Sequence, residues 1–197
     1  MIKDINKQGK KVLYEHAAPV VPILNLNGQS KEISSLTEQS TEKGLPHIIW
    51  PDMYLELITD LIDTAENIAD QCMGLASTQI WDKEDPCPSI FIMRWPHMDD
   101  KDPRHRGWEW QEFINPIIKT SGKTLKLTEG CLSYPNLTVK KTRKANVEMT
   151  FQTLTNPKQQ TLRFTEKEHK WIPHVIQHEY DHLRGVCVRS KNFEYKK

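Results

Sequence analysis

The chain has 197 residues, with 27 Lys and Arg against 26 Asp and Glu and a formal net charge of +1. That length suits one packed core and is short for two, and a balance so near zero excludes a global field that would gather nucleic acid, so no direct sequence-specific nucleic-acid binding is expected. No apolar run approaches the roughly eighteen residues of a membrane span, and Met1-Ile2-Lys3-Asp4-Ile5 opens no signal-peptide core, so the expectation is a cytoplasmic protein with no membrane contact and reduced thiols.

Residues 1–50 are polar, with a Ser/Thr/Glu-rich stretch at 34–43 and scattered prolines, and read as a strand or two within irregular wrapping. From Asp52 the pattern changes. Leu55, Ile58, Leu61, Ile62, Ala65, Ile68, Ala69 and Cys72 recur at three and four, which predicts a helix near residues 52–72. Pro51 or Asp52 suits its start, and Gly74 its end. Ser89 to Arg94 reads as a short buried strand, and residues 95–110 as a loop with no sustained period. His97 and His105 in that loop read as solvated side chains in preference to a second metal site.

Val147, Met149 and Phe151 alternate with Glu148, Thr150 and Gln152, the period of a half-buried strand. Asn156-Pro157 signals a turn, after which Thr161 to Phe164 pairs back. The last helix must carry His178, and Pro173 lies only five residues before it. A proline is tolerated in the first turn of a helix and not in its interior, so the start is placed at residues 169–171. Thr165-xx-Glu168 resembles a capping box but lies too early for that helix, and Gly185 is the natural stop.

His178-Glu179-Tyr180-Asp181-His182 fits HExxH. On a helix its two histidines stand on one face, with Glu179 beside them to take a proton from water. A catalytic ion usually has three protein ligands and an open fourth position. Downstream, Val188 stands where HExxHxxGxxH would place a third histidine, and Glu194 in a short basic tail is the only glutamate. The third ligand is therefore sought upstream, where the best candidate is Cys131 in Glu129-Gly130-Cys131-Leu132-Ser133. Gly130 is taken to let the backbone approach the ion, and Cys72, Cys87 and Cys187 are assigned to structure.

With EGCLS at 129–133 and HExDH at 178–182, the chain resembles the peptide deformylases. The family's first motif, GxGLAAxQ, reads here Cys72-Met73-Gly74-Leu75-Ala76-Ser77-Thr78-Gln79. Cys72 and Ser77 are its departures, and they leave open the backbone geometry before the substrate strand. Ile114-Asn115-Pro116 and Arg143 extend the likeness over about residues 52–185.

The resemblance implies an α+β fold, a single catalytic domain over 1–197 with antiparallel sheets packed around a central metal-binding C-terminal helix. Residues 1–50 would be an atypical wrapping segment and 95–110 a loop insertion. It implies a hydrolase that removes the N-formyl group from the N-terminal methionine of new proteins and releases formate. Cys131, His178 and His182 would hold Fe(II) in the cell, with Zn(II) or Ni(II) as replacements in purified protein. Glu179 would be general acid and base, and the Gln79 side chain and Leu132 backbone N–H would face the oxyanion. Gly74 would pair its backbone with the substrate main chain.

Met73, Leu127, His174 and Val175 fall where the family lines the pocket for the first side chain, with His174 read as pointing to solvent. Glu129 would pair with Arg143 to brace the cysteine loop, Asp181 being the other candidate partner of that arginine. The implied partners are N-formylmethionyl nascent peptides and, transiently, the ribosome, although the tail at 190–197 is too short for a binding helix. The competing readings are a zinc endopeptidase and a deformylase-like binding module impaired by the altered first motif.

Overall fold

The computed structural model describes residues 1–7, 10–20, 23–26, 29–32, 47–96 and 108–188. The Ser/Thr/Glu-rich stretch at 34–43, the two histidines of the expected loop, His97 and His105, and the tail from 189 lie outside them. Near the N-terminus, β1 (Ile23–Leu26), β2 (Gln29–Glu32) and β3 (His47–Ile49) form an antiparallel sheet in the order β2-β1-β3.

The first long helix, α1 (Asp52–Asn67), starts after Pro51, whose φ of −51° is preset for helix entry. It buries Leu57, Ile58, Leu61, Thr64 and Ala65. The expected extent to residue 72 is corrected in two ways. Leu55 is 40% exposed and Leu57 takes its place inside, and the helix stops at Asn67. Beyond it the chain makes a 3-10 turn at Ala69–Gln71, held by the Arg94 guanidinium donating to the Ala69 carbonyl at 2.8 Å. Gly74 is not the cap of α1. It opens β4 (Gly74–Ala76) and pairs with Met93, which a helix running to 72 would prevent.

A five-stranded antiparallel sheet follows in sequential order: β4, β5 (Ile90–Pro96), β6 (Trp108–Cys131), β7 (Tyr134–Gln152) and β8 (Gln160–Thr165). The expected loop at 95–110 is narrower than read. Trp95 pairs with Glu109 and Pro96 with Trp108, so both of its ends belong to the ladder. Burial of Trp95 against Phe113 and Phe164, with ring centroids 5.7 and 5.5 Å away, extends the strand where the periodicity gave no sign. In β7 the alternation is as expected, with Val147, Met149 and Phe151 buried, and β8 pairs back through Met149 and Leu162.

Thr165 does cap a helix, the single turn α2 (Glu166–His169), its hydroxyl accepting from the Glu168 N–H at 3.2 Å. Lys170, at φ 49°, then breaks the chain direction. The metal-motif helix α3 (Ile172–Leu183) begins after Trp171 with Pro173 in its first turn, at the expected place. Two helix starts that compete for one helix in the sequence belong to two helices. At the far end Gly185 has φ +66°, and a Cβ there would stand 2.5 Å from the Tyr14 carbonyl oxygen, so glycine is required.

Two apolar clusters pack against the sheet, and the second of them positions α3. One lies between α1 and the β4–β5 face, with Leu57, Leu61, Leu75 and Ile92. The other joins Ile172, Ile176 and Leu183 of α3 to Phe91, Phe113 and Met149 of the sheet. The metal-motif helix thus sits against the sheet in an α+β arrangement, as expected. Among the described residues no helix is long and apolar enough to cross a membrane.

Candidate metal centre

One turn apart on α3, His178 and His182 bring their ring centroids to 5.1 Å. Cys131 ends β6 at the tight turn into β7, where it pairs with Tyr134. One donor atom from each of Cys131, His178 and His182 lies within 4.8 Å of the others, and the Cys131 Sγ stands 3.2 Å from the His182 Nε2. His178 Nδ1 is engaged by Glu129 Oε2 at 3.1 Å, which directs its Nε2 toward the same centre. A thiolate and two imidazoles suit a borderline divalent ion. Beside them Glu179 is 4% exposed with its Oε2 buried and unpartnered, an orphaned acceptor that a water carried by the ion would satisfy. The residues fit the implied metal.

A Cβ on Gly130 would meet no protein atom within 4 Å. A Cβ on Gly74 would stand 2.8 Å from Glu179 Oε1, so the strand lies flush on the carboxylate only because residue 74 has no side chain.

Arg143 engages both of its candidate partners. Its guanidinium makes two bonds of 2.7 Å to Glu129 and one of 2.6 Å to Asp181. Burial opposes the Glu129 charge, but the hydrogen bonds from Arg143 and His178 outweigh it and hold the carboxyl at about 2. Burial alone dominates at Glu179 and pushes its carboxyl up to about 7, with the positive charges of His178 and Arg143 pulling back.

Gln79 is 2% exposed. Its Oε1 accepts from the Ala76 N–H at 2.9 Å, so its Nε2 faces the cysteine loop, 3.3 Å from Ser133 Oγ and 3.9 Å from Cys131 Sγ.

A cleft of about 800 Å³ opens over this centre, and its lining includes Met73, Gly74, Gln79, Leu132, His174 and Val175 as well as Cys131, His178 and Glu179. Leu127 is outside that lining. His174 does not point to solvent. It lines the cleft with its Nε2 buried and unpartnered, and burial lowers its pKa.

The two departures in the first motif are absorbed locally. The Cys72 thiol, 1% exposed and pushed up to about 12 by burial with the Glu179 charge adding, donates to the Gly74 carbonyl at 3.2 Å. The buried Ser77 hydroxyl donates to the Pro88 carbonyl and accepts from the Cys87 thiol.

Two contributors have no signal in the motifs. Gln177 clasps the Lys144 backbone from both sides, accepting from its N–H at 3.0 Å and donating to its carbonyl at 2.9 Å, and so locks α3 to β7. Only its place just before His178 could have pointed to it. Lys7 reaches from the N-terminal segment to donate to the Leu132 carbonyl at 2.9 Å, and no local pattern announces that contact.

The family model described as polypeptide deformylase matches residues 2–195. The peptide deformylase of Rickettsia prowazekii (strain Madrid E) is 28% identical over 161 residues, covering 79% of this chain and 83% of its own. That of Wolbachia sp. subsp. Brugia malayi (strain TRS) is 33% identical over 139 residues, covering 68% and 71%. The crystal structure of peptide deformylase from Thermotoga maritima superposes with a TM-score of 0.64 at 21% identity, over 98% of this chain and 99% of that one, which shows a shared fold. Since the family match takes in the sheet, the cysteine loop and α3 together, the chain belongs to the polypeptide deformylase family.

Proposed function

We infer that this protein is a metal-dependent hydrolase that removes the N-formyl group from the N-terminal methionine of newly synthesised proteins and releases formate. The observation that carries the reading is the Cys131, His178 and His182 cluster at the floor of a cleft, with the buried Glu179 pressed against the glycine edge of β4. Fe(II) is the proposed ion in the cell, with Zn(II) or Ni(II) taking its place in protein purified in air. A divalent ion in this setting supplies Lewis-acid activation of water at neutral pH.

Glu179 takes the proton of the attacking water and later gives it to the leaving amine, and burial raises its carboxyl above the usual carboxylate range, the direction that both transfers near neutral pH require. Negative charge that develops on the formyl oxygen meets the Gln79 Nε2 and the Leu132 backbone N–H, each such donor being worth about 3 kcal/mol of barrier. Among the described residues β4 is the end strand of its sheet, with β5 its one strand neighbour, so its outer edge is where an extended peptide would add. Recognition through the Gly74 backbone is indifferent to the side chains that follow, which suits an enzyme acting on many nascent chains. Met73, His174 and Val175 receive the first side chain. Glu129, Arg143 and Asp181 fix the orientation of His178 and of the cysteine loop.

On this reading residues 1–197 act as one catalytic unit in the cytoplasm, with transient ribosome contact. The endopeptidase alternative has no support in the family match, and absorption of Cys72 and Ser77 into buried hydrogen bonds argues against an impaired module. The test is formate release from a short formyl-methionyl peptide by protein purified without oxygen and loaded with Fe(II). A folded, loaded sample that releases none overturns the reading.

A further inference from the structure

The near-zero net charge hides a local imbalance. Between Phe113 and Val147, across β6 and β7, fall seven of the chain's 27 basic residues and one of its 26 acidic ones, Glu129, which is already paired with Arg143 at the metal centre. Lys141 and Arg143 are buried on the inner face, and Lys119 and Lys123 meet Glu148 and Glu166. That leaves Lys126, Lys140 and Lys144.

All three are exposed, and none has a carboxylate partner among the described residues. The register gathers them. Lys126 stands opposite Thr142, whose neighbours on the same face of β7 are Lys140 and Lys144, and those two stand opposite Thr128 and Thr124. Like charges at neighbouring cross-strand positions repel, so the cluster costs stability in the isolated protein. Its surface offers only ammonium groups alternating with threonine hydroxyls, both of them donors to phosphate oxygens. There is no aromatic side chain among these positions for a base to stack on and no apolar residue to enter a lipid surface.

We propose that this lysine and threonine strip on the outer face of the β6–β7 hairpin binds the phosphodiester backbone of RNA, without sequence preference. The strip runs into the rim of the cleft, because Thr128, which pairs with Lys140, lines it together with Thr138. RNA held there lies beside the cleft mouth and keeps the enzyme where peptides reach it. That consequence rests on the deformylase reading, whereas the binding does not.

The experiment is fluorescence anisotropy of a labelled single-stranded oligouridylate titrated with the full chain over a range of salt concentrations. Three phosphate contacts give a slope of about −2 in log affinity against log salt. A combined Lys126→Gln, Lys140→Gln and Lys144→Gln variant is expected to bind about tenfold or more weakly at low salt with a slope near zero. Its melting temperature should be no lower than the parent's, because the mutual repulsion of the three lysines is removed. Its formate release from a short formyl peptide should match the parent, since none of the three residues belongs to the metal centre. Unchanged RNA affinity or slope in the folded variant overturns the proposal. Competition by polyglutamate as strong as by RNA, or equal binding to anionic phospholipid vesicles, overturns the choice of partner. A parent that binds RNA but releases no formate overturns the catalytic reading alone.

Discussion

Two segments brace the metal centre, and they do so with different chemistry. Below α3 the brace is charged: Arg143, with its side chain 5% exposed, ties Glu129 to Asp181, and Glu129 passes the bond on to His178. On the opposite side, the segment from Cys72 to Gln79 is braced by neutral donors, a thiol, a hydroxyl and an amide. A buried ion pair fixes direction strongly, but it tolerates no deletion, because either partner alone is an uncompensated charge. A neutral hydrogen bond is worth about 1 kcal/mol net and can be rebuilt with another residue. The departures from the family motif, Cys72 and Ser77, fall on the neutral side, and the charged side matches it unbroken.

The sharpest break of this contrast is Arg143→Ala. It strands Glu129 and Asp181 in the interior and is expected to lower stability by about 3–5 kcal/mol, read as a fall in the urea midpoint. Loss of ion affinity should accompany it, since the Glu129 carboxylate that directs the His178 ring loses its brace. A midpoint within error of the parent would show that the charged brace is dispensable. Next is Glu179→Gln, which keeps size and burial while removing the base. The ion content measured on the purified variant should equal the parent's, and turnover should fall by about 10²–10⁴. Retained turnover would remove Glu179 from proton transfer.

How much of this was legible in the sequence follows from the range over which each feature is encoded. The α3 ligands stand four residues apart on one helix, and Cys131 lies in a short motif, so local pattern suffices to nominate all three. Gln177 and Lys7 act on backbone groups distant in sequence, Lys144 and Leu132, and hydrogen bonds of that kind leave no spacing to read. The overrun of α1 has a related cause. Cys72 continues the apolar spacing of the helix because it is buried, although it follows a 3-10 turn, and spacing reports burial before it reports conformation. The ends of β5 and β6 were hidden for the opposite reason, since a tryptophan next to a proline shows no alternation and only contact with Phe113 and Phe164 makes it strand.

On the neutral side the larger effect is expected from Gly74→Ala. The added methyl meets Glu179 at 2.8 Å, and the carboxylate must move by several tenths of an ångström to admit it. Since a misplacement of about 1 Å costs about 10²-fold, a loss of about 10-fold to 10²-fold in kcat is expected at little cost in stability. A parent-like kcat would mean that Glu179 has freedom the structure does not indicate.

The smallest effect is expected from Ser77→Ala, which restores the alanine of the family motif. It removes the hydroxyl that donates to the Pro88 carbonyl, but that carbonyl also accepts from the Ile90 N–H at 2.9 Å and is not left bare. The Cys87 thiol loses an acceptor and keeps the same Pro88 carbonyl within reach at 3.8 Å. The expected cost is therefore about 1 kcal/mol or less in urea unfolding, with an unchanged slope and unchanged formate release. A loss as large as that of Arg143→Ala would erase the distinction between the two braces, because it would mean that a neutral hydrogen bond beside β4 is as indispensable as the buried ion pairs beneath α3.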